Sequence, residues 1–75
     1  MRVDNEVLNV LSAAECNGPH LLLTGQLDRN LYTRTNKVLE AAGGKWNRKA
    51  KAHIFETDAS ERIEQIILTG DVVVP

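Results

Sequence analysis

The sequence predicts a small α+β domain: two β-hairpins form an antiparallel sheet, and two helices cover one of its faces, in the order β-β-α-β-β-α with an optional last strand. Three observations predict it. Asn17-Gly18 is a strong two-residue hairpin signal set between apolar flanks. Residues 27–42 and 59–67 repeat apolar side chains at helical spacing. Gly43 to Phe55 joins the only Trp and the only Phe to a cluster of cations in the pattern of a second hairpin.

The elements follow in chain order. Val7 to Cys16 is apolar with interruptions, and helix and strand compete for it. Asn5 offers a helix cap, with Asn17-Gly18 as a stop. Two strands around Asn17-Gly18 explain both flanks better, because Leu21-Leu22-Leu23-Thr24 reads as a buried strand closed by Gly25. Pro19 must then avoid a ladder hydrogen bond. Leu27 to Ala42 is the clearest helix. Asp28 stands at its N-cap, Leu31, Thr35, Val38 and Ala42 form the apolar stripe with Leu39 beside them, and Gly43 is a natural left-handed C′ residue. In the second hairpin, Lys45-Trp46-Asn47 starts one strand, Arg48 to Lys51 form the turn, and Ala52 to Phe55 form the other strand. Trp46 and one of Ile54 or Phe55 are expected in the core. Asp58 with Glu61 resembles a capping box for a second helix, with Ile63, Ile66 and Ile67 buried, Arg62 outward and Gly70 as the stop. Residues 71–75 are a strand or the start of a linker, and the core spans about residues 7–70.

Seventy-five residues make one domain with a thin stability margin and little room for an enzymatic cleft. The net charge of −1 conceals a segregation. Residues 29–53 hold Arg29, Arg34, Lys37, Lys45, Arg48, Lys49 and Lys51 against Glu40 alone, whereas residues 1–28 sum to −3 and residues 54–75 to −4. The single Cys16 allows no internal disulfide and fits a reducing compartment. The polar start has no signal-peptide pattern and no apolar run is long enough to span a membrane, so a cytoplasmic location is expected.

No glycine-rich phosphate loop and no ligand cluster of Cys and His is present, and Gly43-Gly44 is followed by a strand where a phosphate loop would open a helix. No metal, no cofactor and no catalysis are therefore expected. The basic hairpin is the remaining candidate. Lys45, Arg48, Lys49, Lys51 and His53, with Arg34 and Lys37 on the preceding helix, form a nucleic-acid-binding set, since cations meet phosphates with few sequence demands. An acidic protein surface is the competing partner.

The runs Leu27-Asp28-Arg29-Asn30-Leu31-Tyr32, Asn36-Lys37-Val38-Leu39-Glu40 and Gly43-Gly44-Lys45-Trp46-Asn47-Arg48-Lys49-Ala50-Lys51-Ala52-His53-Ile54-Phe55 carry a resemblance. Over about residues 21–71, this chain resembles the N-terminal region of DNA-methyltransferase-like proteins of bacteriophages, prophages and plasmids. In those, a comparable stretch precedes an S-adenosylmethionine-dependent adenine methylase domain. It is more weakly similar to the DNA-binding HARP module of annealing helicases. The cofactor loop and the Asn/Asp-Pro-Pro-aromatic motif of the methylases are missing here. The resemblance thus implies a non-catalytic, nucleic-acid-binding accessory module of a fused or separate methyltransferase, acting on DNA. The alternative is a small mobile-element protein that inhibits a host defence complex, such as a CRISPR or restriction system.

Overall fold

The computed structural model describes residues 1–72. The predicted α+β class holds, with one more helix than expected: α1 (Asn5–Ala13), β1 (Glu15–Asn17), β2 (His20–Leu22), α2 (Arg29–Ala41), β3 (Lys45–Asn47), β4 (Ala52–Ile54) and α3 (Ala59–Thr69). The four strands form one antiparallel sheet in the order β1-β2-β4-β3, so the two hairpins meet through their second strands.

The first element corrects the sequence reading. Residues 5–13 are helical, and only the last residues of the expected strand, from Glu15, enter the sheet. The cap is Asp4 rather than Asn5: its Oδ1 accepts the Val7 backbone N–H at 2.9 Å. Val7 and Leu11, one turn apart, then bury together in the core. The hairpin that follows is shifted by one residue. Asn17 pairs with His20, so Gly18-Pro19 is the two-residue loop. Gly18 leads it with φ of 58°, and Pro19, which has no N–H, occupies a position where none is needed. The carbonyls of Pro19 and Gly18 accept from Phe55 N (2.9 Å) and Ala59 N (2.8 Å) and tie this turn to the segment between β4 and α3.

Helix α2 forms as its sequence predicts. Asp28 Oδ1 accepts the Leu31 N–H at 2.8 Å, and Thr35, Val38 and Leu39 are buried. At the other end Gly43 N bonds Glu40 O and Gly44 N bonds Leu39 O, a Schellman closure with Gly43 at φ 100°. Gly44 has a separate reason to lack a side chain: a Cβ there would lie 2.7 Å from the Phe55 ring. In α3, Asp58 caps through the Ser60 N–H and hydroxyl, not through the expected exchange with Glu61. Arg62 does not point simply outward. Its Nε and Nη2 both donate to Ala42 O, at 3.1 and 2.8 Å, so a cation closes the carbonyl end of α2. Ile63 and Ile66 are buried, but Ile67, expected beside them, is exposed. Gly70 ends the helix at φ 69°. Of the optional last strand, the described part is an antiparallel bridge between Arg2 and Asp71 that buries Val3 and Val72; Val73, Val74 and Pro75 lie outside the described residues.

The pairing register sorts the sheet into two faces, because residues opposite one another on neighbouring strands share a face. Cys16, Leu21, His53 and Trp46 form one row; Asn17, His20, Ile54 and Lys45 form another on the opposite face. The helices pack on the Leu21 face, with α3 against β1 and β2 and α1 against α2 and α3. The core joins Val7, Leu11, Leu21, Val38, Leu39, Phe55, Ile63 and Ile66. Phe55 is thus the aromatic anchor of the core. Trp46 is not: it lies on the edge strand beyond the helical layer and is 49% exposed.

Candidate nucleic-acid interface

The β3–β4 turn is built by Asn47. Its Oδ1 accepts the backbone N–H groups of Lys49 (3.0 Å) and Ala50 (2.9 Å), which fixes a four-residue loop without a glycine. The loop closes through Lys51 at φ 53°, a left-handed conformation in which a side chain is disfavoured and glycine or asparagine is usual. A lysine held there presents its charge at a backbone cost that a glycine would avoid. Arg48, Lys49 and Lys51 are exposed at the tip, and none forms an ion pair among the described residues.

The structure divides the sequence-derived set. Lys45 is exposed on the open sheet face in the row of Ile54, at the end of β3 away from the turn. Lys37 is exposed on α2, one turn before Glu40. Arg34 is already engaged. Its Nη1 meets Asp4 Oδ2 at 2.7 Å, its Nη2 meets Glu6 Oε1 at 3.4 Å, and its Nε donates to Asn30. The pairing with Asp4 raises the Arg34 pKa, and the Val7 N–H, followed by the Arg34 guanidinium, lowers that of Asp4. Arg34 therefore fastens α2 to the start of α1 and leaves the candidate surface. His53 leaves it as well. It is 2% exposed, because its row on the sheet is the one that faces the helices.

His53 has a different part: it supports Trp46. The two rings meet edge to face at 5.2 Å with an interplanar angle of 62°. Burial lowers the His53 pKa, against a smaller opposing effect of Glu40, so the folded protein holds the neutral ring. The unfolded chain, whose histidine titrates near 6.5, takes up the proton first as pH falls. His53 is thus harmless above that value and costs stability as pH drops through 6.5 toward its lower folded value. Thermal melts are expected to show this loss in the wild type and a flatter profile in His53→Gln. Asp4, Asp58 and Asp71 have lowered pKa values, so their stabilising contributions persist down to about their unfolded value of 3.8 and fade only in more acid solution.

Trp46, like His53, was assigned by sequence reasoning to the wrong environment. The available signal was its position between two polar residues, Lys45 and Asn47, and next to the cationic turn. A shallow groove of about 300 Å³ runs along its strand, lined by Trp46, Lys45, Asn47, Ile54, Gly43, Phe55 and Glu56.

Elsewhere the chemistry is sparse. No group of three or more His, Cys, Asp or Glu side chains suited to a metal occurs among the described residues. Cys16 is half-buried, and burial together with nearby Asp58 pushes its thiol pKa up, which keeps it protonated. No described helix is long and apolar enough to cross a membrane. Comparisons of the chain with protein-family models, curated proteins and solved structures return no match.

Proposed function

We propose that this domain is a non-catalytic nucleic-acid-binding module whose contact element is the tip of the β3–β4 hairpin. The observation that carries the reading is the group of exposed cations on one hairpin, none ion-paired among the described residues: Arg48, Lys49 and Lys51 on the turn, with Lys45 at its base. The acidic residues near the chain's ends lie on other elements, and Asp4, Glu6 and Asp71 are engaged there in ion pairs. The resemblance to the N-terminal region of mobile-element methyltransferase-like proteins adds a role: placing a fused or separate adenine methylase on DNA. Such a module works in the compartment that holds its DNA, the bacterial cytoplasm.

A protein partner is the second reading, in the form of an inhibitor of a host defence complex, and a different observation favours it. Leu68 is 77% exposed and, with Ile67, borders an apolar groove of about 230 Å³ between α1 and α3. The cationic tip ranks above it because it offers several charges on a rigid turn.

The test is a salt titration. With Arg34 and His53 removed from the set, about three to four phosphate contacts remain. On duplex DNA each contributes about −0.9 to the slope of log affinity against log salt. The expected slope is therefore about −3 to −4, and Arg48→Ala with Lys49→Ala flattens it by about two units. A wild type that binds no nucleic acid at low salt refutes the reading.

A further inference from the structure

We infer that Trp46 is a stacking platform for an unpaired nucleobase, so that the hairpin prefers single-stranded over duplex nucleic acid. This rests on the proposed nucleic-acid reading and narrows it to a ligand class.

The chain has one Trp, and it spends that residue on the surface while Phe55 and aliphatic side chains fill the core. The indole stands half-open on an edge strand. Its position is nevertheless fixed. Trp46 sits opposite His53 in the sheet register, and the buried imidazole meets the indole edge to face at 5.2 Å. The ring is therefore held in place before any ligand arrives, which lowers the ordering cost of binding.

The surroundings match the ligand. Arg48, Lys49 and Lys51 follow Trp46 and Asn47 on the turn, while Lys45 stands on the opposite face of β3. A π-face beside several cations is the combination that holds a base and its flanking phosphates on a single strand. In a duplex the base faces are already stacked on their neighbours, and the indole has nothing to cover. Glu56, at the other end of the groove along β3, repels phosphate there. The strand is accordingly directed from the groove toward the turn. An acidic peptide would satisfy the cations equally well but would supply no flat ring for the indole.

The experiment uses the whole chain and three nucleic-acid probes, a roughly ten-nucleotide oligothymidylate, the matching oligouridylate and a duplex of similar length, with polyglutamate as a polyanion control. Because Trp46 is the only Trp, its emission reports contact directly. Quenching by the oligothymidylate, the oligouridylate or both is expected, with the stronger of the two identifying a deoxyribose or ribose ligand. Trp46→Ala should weaken single-strand affinity by about 5- to 150-fold and leave duplex affinity unchanged, and Trp46→Phe should recover part of the loss. Circular dichroism confirms that each variant is folded. Equal affinity for single strand and duplex, unaltered by Trp46→Ala, overturns the stacking inference while the cationic-tip reading stands. Absence of binding to all three probes overturns both, as does quenching of equal strength by polyglutamate.

Discussion

Phe55→Ala is expected to destabilise the domain by about 3–5 kcal/mol, enough to leave much of the chain unfolded at room temperature. Phe55 is 4% exposed and sits where the helices meet the sheet. The chain is built to admit the ring: Gly44, at the entrance to β3, has no Cβ because one would lie 2.7 Å from the ring tip. Removing the ring leaves a cavity bordered by a glycine, which has no side chain to fill it. The backbone bond from Phe55 N to Pro19 O, which links the two hairpins, loses its support at the same point. Trp46→Ala, by contrast, removes a half-exposed ring and one edge-to-face contact, at a cost of about 1 kcal/mol. Urea denaturation of the two variants separates the roles. Equal losses would mean that both aromatics are core residues.

The second large effect concerns binding. Reversing the tip with Arg48→Glu, Lys49→Glu and Lys51→Glu replaces three cations with three anions on an exposed turn. Affinity for nucleic acid is expected to fall at least about 100-fold at moderate salt, since attraction to several phosphates becomes repulsion. The melting temperature should change little, because none of the three side chains is buried or paired with an acidic group among the described residues. Anisotropy of a labelled oligonucleotide reads the first quantity and a thermal melt the second.

The parts of this fold that are legible in the sequence are those fixed by neighbours in the chain. Helix α2 has its cap at Asp28, its stripe at Thr35, Val38 and Leu39, and its stop at Gly43, all within one stretch. The second hairpin and α3 are local in the same sense. Helix α1 is not. Val7-Leu8-Asn9-Val10-Leu11 suits a strand as well as a helix, and what distinguishes them lies elsewhere: Arg34 binds Asp4 and Glu6, and the strand needed beside β2 is supplied by Glu15–Asn17 alone.

The candidate site divides in the same way. The cations of the turn are visible as a run in the sequence. The loss of Arg34 to an ion pair with residues about thirty positions away depends on how α1 packs on α2. The burial of His53 depends on pairing with Leu21, and the exposure of Trp46 on where the helical layer ends. Neither can be obtained from alternation along β3 or β4, because alternation assigns a residue to a face without stating what covers that face.

The central claim is that nucleic acid lands on the β3–β4 hairpin, and amide chemical-shift mapping tests it most directly. Titrating an unlabelled oligothymidylate into isotope-labelled protein should shift the signals of Lys45 to Lys51 and the Trp46 indole N–H, and leave those of α1 and the outer face of α3 in place. Shifts confined to Ile67, Leu68 and the groove beside them, or no shifts at low salt, would contradict the account.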